Sequence, residues 1–78
     1  SWRRFKLHAP QDWQAPAIDG LRPESNFGNL RVMTLDRYQA EVEDRLQSSG
    51  ATLETSEAMT LEEIFVAAVL RGRVEKQS

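Results

Sequence analysis

The sequence predicts an α+β fold, a two-layer sandwich in which an antiparallel sheet of about four strands carries two helices on one face. Three observations support this class. Residues 30–35 alternate as a strand does, and Tyr38, Val42 and Leu46 recur at helical spacing. A chain of 78 residues, 40% of them hydrophobic, has room for one small domain. Two helices cannot cover both faces of such a sheet, so both are expected on the same face.

The first half of the chain predicts three strands. Residues 2–8 place Phe5 and Leu7 on one side of a first strand. Residues 9–17 contain two prolines and predict a loop, with Trp13 as its anchor. Residues 18–24 predict a short strand that either lies at the sheet edge or ends at Pro23, because a proline cannot donate to a ladder. A turn then leads to the strand at 30–35.

The second half predicts helix, strand and helix. Asp36 is the expected N-cap of the first helix, which should end at Gly50. Residues 51–58 predict the fourth strand. Thr60 and Glu63 fit a capping box that opens the second helix, and Gly72 should close it. The apolar residues expected to form its buried stripe are Leu61, Ile64, Phe65 and Ala68.

Residues 1–72 therefore predict a single α+β domain, and residues 73–78 a frayed carboxy-terminal tail. The element order resembles a ferredoxin-like fold whose first helix is replaced by the proline-containing loop. Val66, Val69 and Leu70 add apolar surface beside the predicted stripe. That surface has two interpretations that stay open here: central packing of the second helix, or a partner site.

Composition excludes several classes of protein. Twelve acidic against ten basic residues give a net charge of −2, which argues against non-specific electrostatic binding to nucleic acid or anionic lipid. The chain has no cysteine and one histidine, so thiolate and His-rich metal sites are excluded. The longest apolar run, 64–70, is too short for a membrane span. The basic start lacks the apolar block of a signal peptide, so we expect a cytoplasmic module.

The residues that bear chemistry do not combine into a catalytic pattern. No Gly-rich loop precedes a lysine, so the P-loop is absent. Asp36 ends a strand as a magnesium-binding aspartate does, but its position favours a helix cap. Glu62 and Glu63 diverge by about 100° on a helix and serve its first turn. His8 is interpreted as a surface histidine. We predict no catalytic, cofactor-binding or metal-ligating residue, and no enzyme activity.

A cluster of aromatic and basic residues at the amino terminus suggests a third kind of function. Trp2, Arg4 and Lys6 are typical of a platform for single-stranded nucleic acid. The net acidic charge, and the presence of these aromatic residues on one strand alone, favour a different interpretation. In it, the segment is an edge strand whose charged side chains prevent pairing with another chain. We therefore predict no nucleic-acid partner and keep this binding as the weaker alternative.

The carboxy-terminal half resembles a known family. Residues 50–54, the run Met59-Thr60-Leu61-Glu62-Glu63-Ile64-Phe65, and Arg71-Gly72 are similar to the end of bacterial ABC transporter ATP-binding subunits of the ABC-2 exporter type. The resemblance covers about residues 29–72 and is loose over residues 1–28. Residues 67–70 depart from the usual Leu-x-Leu-Thr-Gly ending, which leaves the contacts of that turn undetermined.

The resemblance implies a regulatory or interaction domain that accompanies an ATPase. No Gly-Lys-Ser/Thr loop, Leu-Ser-Gly-Gly-Gln signature or strand-Asp-Glu pair is present, so ATP and Mg²⁺ would bind in an upstream domain. The implied partners are that nucleotide-binding domain, the membrane subunit and a second copy, with a cytoplasmic location peripheral to the inner membrane. No functional residue carries over from the family. The alternative is a free-standing ligand-sensing domain with residues 9–17 over a pocket.

Overall fold

Four strands and two helices make up the computed structural model, which describes the backbone of residues 1–77 and the side chains of residues 1–72. The elements in chain order are β1 (Arg3–His8), β2 (Leu21–Phe27), β3 (Leu30–Leu35), α1 (Glu41–Ser48), β4 (Thr52–Ala58) and α2 (Leu61–Gln77). The strands lie in the order β2-β3-β1-β4, and each neighbouring pair is antiparallel. The predicted α+β class and its four-stranded antiparallel sheet are confirmed.

The connections between the strands follow the ferredoxin-like pattern. One crossover leads from β1 to β2 past β3, and another leads from β3 to β4 past β1. Helix α1 forms the second crossover, whereas residues 9–20 make the first without a helix. The architecture is thus consistent with a ferredoxin-like sandwich in which a loop replaces the first helix.

One face of the sheet carries the hydrophobic core. Phe5 and Leu7 from β1, Leu35 from β3 and Leu46 from α1 are fully buried. The other members of this core are Ala9, Leu21, Met33, Val42 and Ala51. Trp13, the predicted anchor of the loop, packs against them. Helix α1 and the 9–20 loop therefore cover the face on which Phe5 and Leu7 lie.

Strand β2 lies at the sheet edge, one of the two outcomes that its proline predicts. It begins three residues later than the pattern at 18–24 indicates and continues past Pro23 to Phe27, so the other outcome, an end at Pro23, is wrong. Residues 18–20 form a turn instead, in which the Leu21 N–H donates to the Ile18 carbonyl at 3.1 Å. Gly20 has a φ of +86°, a left-handed conformation that ends the loop before the strand starts. The register shifts between Pro23 and Ser25, where the missing N–H interrupts the ladder.

Helix α1 begins at Glu41, and the expectation that Asp36 is its N-cap is wrong. The cap residue is Ala40, which makes no side-chain capping hydrogen bond. Residues 36–40 are held outside the helix by tertiary contacts. The Tyr38 N–H donates to the Ser1 carbonyl at 3.0 Å, and the Tyr38 ring lies 6.4 Å from that of Phe5.

Helix α2 contacts the opposite face of the sheet from α1, a placement that differs from the expectation of both helices on one face. Arg4 and Thr34 are directly paired across β1 and β3, and Arg4 neighbours the core residue Phe5. Because strand side chains alternate, Arg4 and Thr34 point away from the core. Arg4 binds Glu63 of α2, and Thr34 accepts hydrogen bonds from Arg71 of α2. The polar contacts of α2, and not its apolar residues, therefore determine which side of the helix meets the sheet.

The backbone of α2 stays helical to Gln77, so Gly72 does not end the helix as predicted. The sequence predicts a frayed tail at 73–78. The side chains of residues 73–78 and the backbone of residue 78 lie outside the described residues. Within the described part of the chain, no helix has the length and apolar character needed to cross a membrane.

Candidate functional site

Helix α2 opens with the capping box that the sequence predicts. The Thr60 N–H donates to Glu63 Oε1 at 2.9 Å, and the Glu63 N–H donates to Thr60 Oγ1 at 3.2 Å. These two reciprocal bonds satisfy backbone donors that the first turn would otherwise leave unpaired. The start of α2 is therefore set by local sequence.

The same Glu63 also joins the helix to the sheet. Its Oε2 accepts a hydrogen bond from Arg4 Nη1, while Arg4 Nε donates to Glu24 Oε2 at 2.8 Å. The hydrogen bond to Glu24 is the main cause that raises the pKa of Arg4. The Thr60 N–H, followed by the Arg4 guanidinium, lowers the pKa of Glu63 to about 2. Glu63 is thus held as a carboxylate at any ordinary pH.

Arg71 attaches the helix two turns further along. Its Nη2 donates to Thr34 Oγ1 at 3.0 Å and to the Thr34 carbonyl at 3.1 Å, and its Nη1 lies 3.4 Å from Asp36 Oδ2. The guanidinium carbon also lies 4.6 Å from the centre of the Trp2 ring, within cation–π range. Trp2 and Asp36 therefore help to position α2.

These attachments determine which side of α2 faces solvent. Glu63, Ala67 and Arg71 are half-buried at a spacing of four residues, and they form the attached side. Leu61, Phe65 and Val69 have the same spacing but are offset by two residues, about 200° around the helix. Their exposed fractions are 86%, 71% and 39%. We call these three residues the outer ridge.

The outer ridge corrects the predicted buried stripe. Leu61, Phe65 and Ala68 are exposed, and of the predicted set Ile64 alone is half-buried. Val66, Val69 and Leu70, whose role the sequence left open, are exposed as well, at 51%, 39% and 52%. Apolar residues surround most of α2, so periodicity could not identify its attached side. A polar signal was available: Glu63 and Arg71 lie two turns apart on the same side of the helix.

A groove separates α2 from the edge of the sheet. Val66, Ala67 and Leu70 form one wall, and Arg22 and Pro23 of β2 form another, around a volume of about 390 Å³. Arg4 and Glu63 also line the groove. A second depression, more open and of about 460 Å³, lies where the sequence predicts a pocket under the loop, and Ala15, Pro16 and Ala17 line it. Trp13 packs on the core instead and donates from Nε1 to Ser49 Oγ at 3.0 Å.

The other candidate residues lie apart from one another. His8 Nε2 is 3.1 Å from Glu54 Oε2, and both side chains are about half exposed. Glu43 of α1 accepts hydrogen bonds from the Tyr38 hydroxyl, whose pKa it raises, and from Ser56 Oγ. Glu62 is exposed. Among the described residues, no three His, Cys, Asp or Glu side chains are grouped so as to hold a metal ion.

The aromatic and basic cluster at the amino terminus is used within the fold. Trp2 is half-buried beneath Arg71, and Arg4 is bound by two carboxylates, whereas Lys6 is exposed. A nucleic-acid platform needs free ring faces and free cations. Two of its three proposed members are already engaged.

The chain matches no protein-family model, no curated protein and no solved structure. The resemblance to ABC transporter ATP-binding subunits accordingly stays a prediction from the residues at 50–72.

Proposed function

We propose that this chain is a non-catalytic interaction domain whose outer ridge binds another protein. The exposure of Leu61, Phe65 and Val69 in a row is the observation that carries the proposal. Large apolar side chains that adjoin one another on a surface mark contact sites, whereas single ones do not. The attachments through Glu63 and Arg71 present the ridge in one orientation, which lowers the entropy cost of binding.

We further propose that the domain accompanies the ATP-binding subunit of a bacterial ABC exporter. The resemblance of the segment Met59–Phe65, together with the absence of a P-loop, supports this identity. ATP and Mg²⁺ would then act in an upstream nucleotide-binding domain. The accessory domain would be cytoplasmic, peripheral to the inner membrane through the transporter, and would regulate it by contact with a subunit.

The gene itself tests the identity of the parent protein. We expect the reading frame upstream of the Ser1 codon to encode a Gly-x-x-x-x-Gly-Lys-Ser/Thr loop. The 78-residue chain alone should bind no Mg-ATP in a calorimetric titration. An upstream stop codon, or micromolar binding of ATP to the chain, would overturn the ABC identity and leave the interaction proposal to be tested separately.

A matched pair of substitutions tests the interaction in the full gene product. Phe65→Asp places a charge on the outer ridge and should weaken the contact about tenfold or more, with a corresponding loss of ATP-driven export. Phe27→Asp is the control, because Phe27 is exposed to nearly the same extent, 68% against 71%, but lies at the end of β2. Equal effects of the two substitutions would contradict a role for the ridge.

Ligand sensing is the second candidate function, and the groove beside α2 favours it. Its lining combines apolar Val66 and Leu70 with the cation of Arg22 and the carboxylate of Glu62, so a small acidic molecule with an apolar part would bind through Arg22. Such a ligand should raise the melting temperature by mass action. A panel of organic acids measured by thermal shift, with Arg22→Ala as control, tests this function. An unchanged melting temperature across the panel argues against it.

A further inference from the structure

We propose that the outer ridge binds the α2 helix of a second copy of this chain, with the two helices antiparallel. The inference rests on the proposed function, because it names the partner of the same surface. It is drawn from the distribution of side-chain size, of charge and of free space along α2.

Side-chain size changes along the ridge side of the helix. The large residues Leu61 and Phe65 lie in its amino-terminal half. Ala68 and Gly72, seven and eleven residues after Leu61, share the same side in its carboxy-terminal half. Ala68 is exposed, and outside the helix's own backbone around Gly72 no described atom lies within 4 Å of the place that a Cβ on Gly72 would occupy. In an antiparallel pair, Phe65 of each copy packs over Gly72 of the other. In a parallel pair, the large side chains of the two copies would lie opposite each other.

The distribution of charge along α2 also favours an antiparallel pair. Of the two acids in the first turn of α2, Glu62 is exposed, whereas Glu63 is bound to Arg4. Beyond Arg71, which is bound to the sheet, the sequence from 72 to 77 carries Arg73 and Lys76 against the single acid Glu75. An antiparallel pair brings the acidic end of each helix to the basic end of its partner, and it also aligns the helix dipoles favourably. A parallel pair would oppose like charges.

The pairing closes on itself without disturbing the fold. A two-fold axis near Ala68 uses the same surface of both copies, so a dimer leaves no ridge free for further growth. Glu63 and Arg71 face the sheet and need not release it. One helix face is smaller than the roughly 800 Å² per partner of a stable complex, so the dimer should be weak and concentration-dependent.

Sedimentation equilibrium of the 78-residue chain tests self-association. We expect the weight-average mass to rise from monomer toward dimer between about 10 µM and about 1 mM. Phe65→Asp should weaken association about tenfold or more, and Phe27→Asp should leave it unchanged. Circular dichroism checks that each variant keeps its helices. A wild-type chain that stays monomeric, or an equal effect of both substitutions, overturns the inference.

Cysteine crosslinking tests the orientation, since the chain has no cysteine of its own. Ala68→Cys lies near the proposed axis, where two Cα atoms can approach within the about 4.4–6.8 Å that a disulfide requires. Leu61→Cys lies seven residues away, which separates the two copies by about 20 Å in an antiparallel pair. We expect a disulfide dimer from Ala68→Cys and none from Leu61→Cys. Disulfide dimers from both variants would indicate parallel pairing. Disulfide dimers from neither variant would indicate that the two α2 helices do not pair. Each of these results overturns the inference.

The two proposals fail in different ways. If the chain is monomeric but Phe65→Asp still lowers export by the full gene product, the ridge binds another subunit and only the self-pairing inference falls. If Phe65→Asp changes neither association nor export, the proposed function falls with it.

Discussion

Glu63 makes two kinds of bond at once, and its protonation links the start of α2 to the sheet. One carboxylate oxygen accepts from the Thr60 N–H and the other from Arg4. A group whose pKa is lowered in the folded state stabilises that state above its unfolded pKa. That contribution is lost as the pH falls from the ordinary 4.5 of a glutamate toward the folded value of about 2.

We therefore expect the helix content of α2 to decrease between about pH 4.5 and pH 2, measured by circular dichroism. Glu63→Gln keeps a capping side chain but carries no titrating charge, so its helix content should be lower at neutral pH and change less over this range. Glu62→Gln, at the exposed neighbouring position, should keep the wild-type profile. A Glu63→Gln profile identical to wild type would show that other carboxylates cause the transition.

Gly20 combines a left-handed backbone with a close neighbour. Its φ is +86°, and a Cβ at this position would overlap the Asp36 carboxylate. Gly20→Ala should lower the free energy of unfolding by more than the about 1–2 kcal/mol of a left-handed residue alone. Gly28→Ala is the control, because Gly28 has a φ of +60° and open space around it. Urea unfolding measures both, and a larger cost at Gly28 would contradict this account.

At the scale of the element, α2 is a helix attached by side chains to a polar sheet face. Arg71 supplies hydrogen bonds to Thr34, an ion pair to Asp36 and the contact with Trp2. Polar contacts of this exposure contribute modestly, so α2 should open locally at lower free energy than the core strands. Helix α1, by contrast, buries Val42 and Leu46.

Arg71→Ala should accordingly release α2 from the sheet. We expect hydrogen exchange of the α2 amides to accelerate about tenfold or more while that of β1 and β3 is little changed. Arg22→Ala removes a cation from the same groove without touching these bonds, and its α2 amides should exchange as in wild type. Uniform acceleration across β1, β3 and α2 in the Arg71 variant would mean that α2 belongs to the cooperative core.

At the scale of the whole molecule, stability resides on one face of the sheet. Leu46→Ala, at a fully buried position, should cost about 2–5 kcal/mol of the free energy of unfolding. Leu61→Ala, the same change at a site 86% exposed, should cost within about 0.5 kcal/mol when measured at low protein concentration. Comparable costs in chemical unfolding would show that the α2 side of the sheet carries a second core.

Local sequence patterns were sufficient to predict much of the fold and the start of α2. The alternation around Phe5 and Leu7, the helical spacing of Val42 and Leu46, and the Thr60–Glu63 capping box each act within a few residues, and the structure contains all of them. Pro23 limited β2 to an edge strand or to one that ends at the proline, because its missing N–H excludes an interior strand, and the structure has the edge strand.

Asp36 and the outer ridge were decided by tertiary structure. Asp36 looked like a helix cap, yet its carboxylate lies against Gly20 and Arg71, residues far from it in the chain. Leu61 and Phe65 looked buried, yet α2 turns them to solvent because Glu63 and Arg71 find partners on Arg4 and Thr34. The sequence by itself determined the elements, since propensity, periodicity and capping are local. Only the tertiary structure decided which sheet face α2 meets and which apolar residues stay exposed, because an apolar pattern that surrounds a helix has no unique buried side.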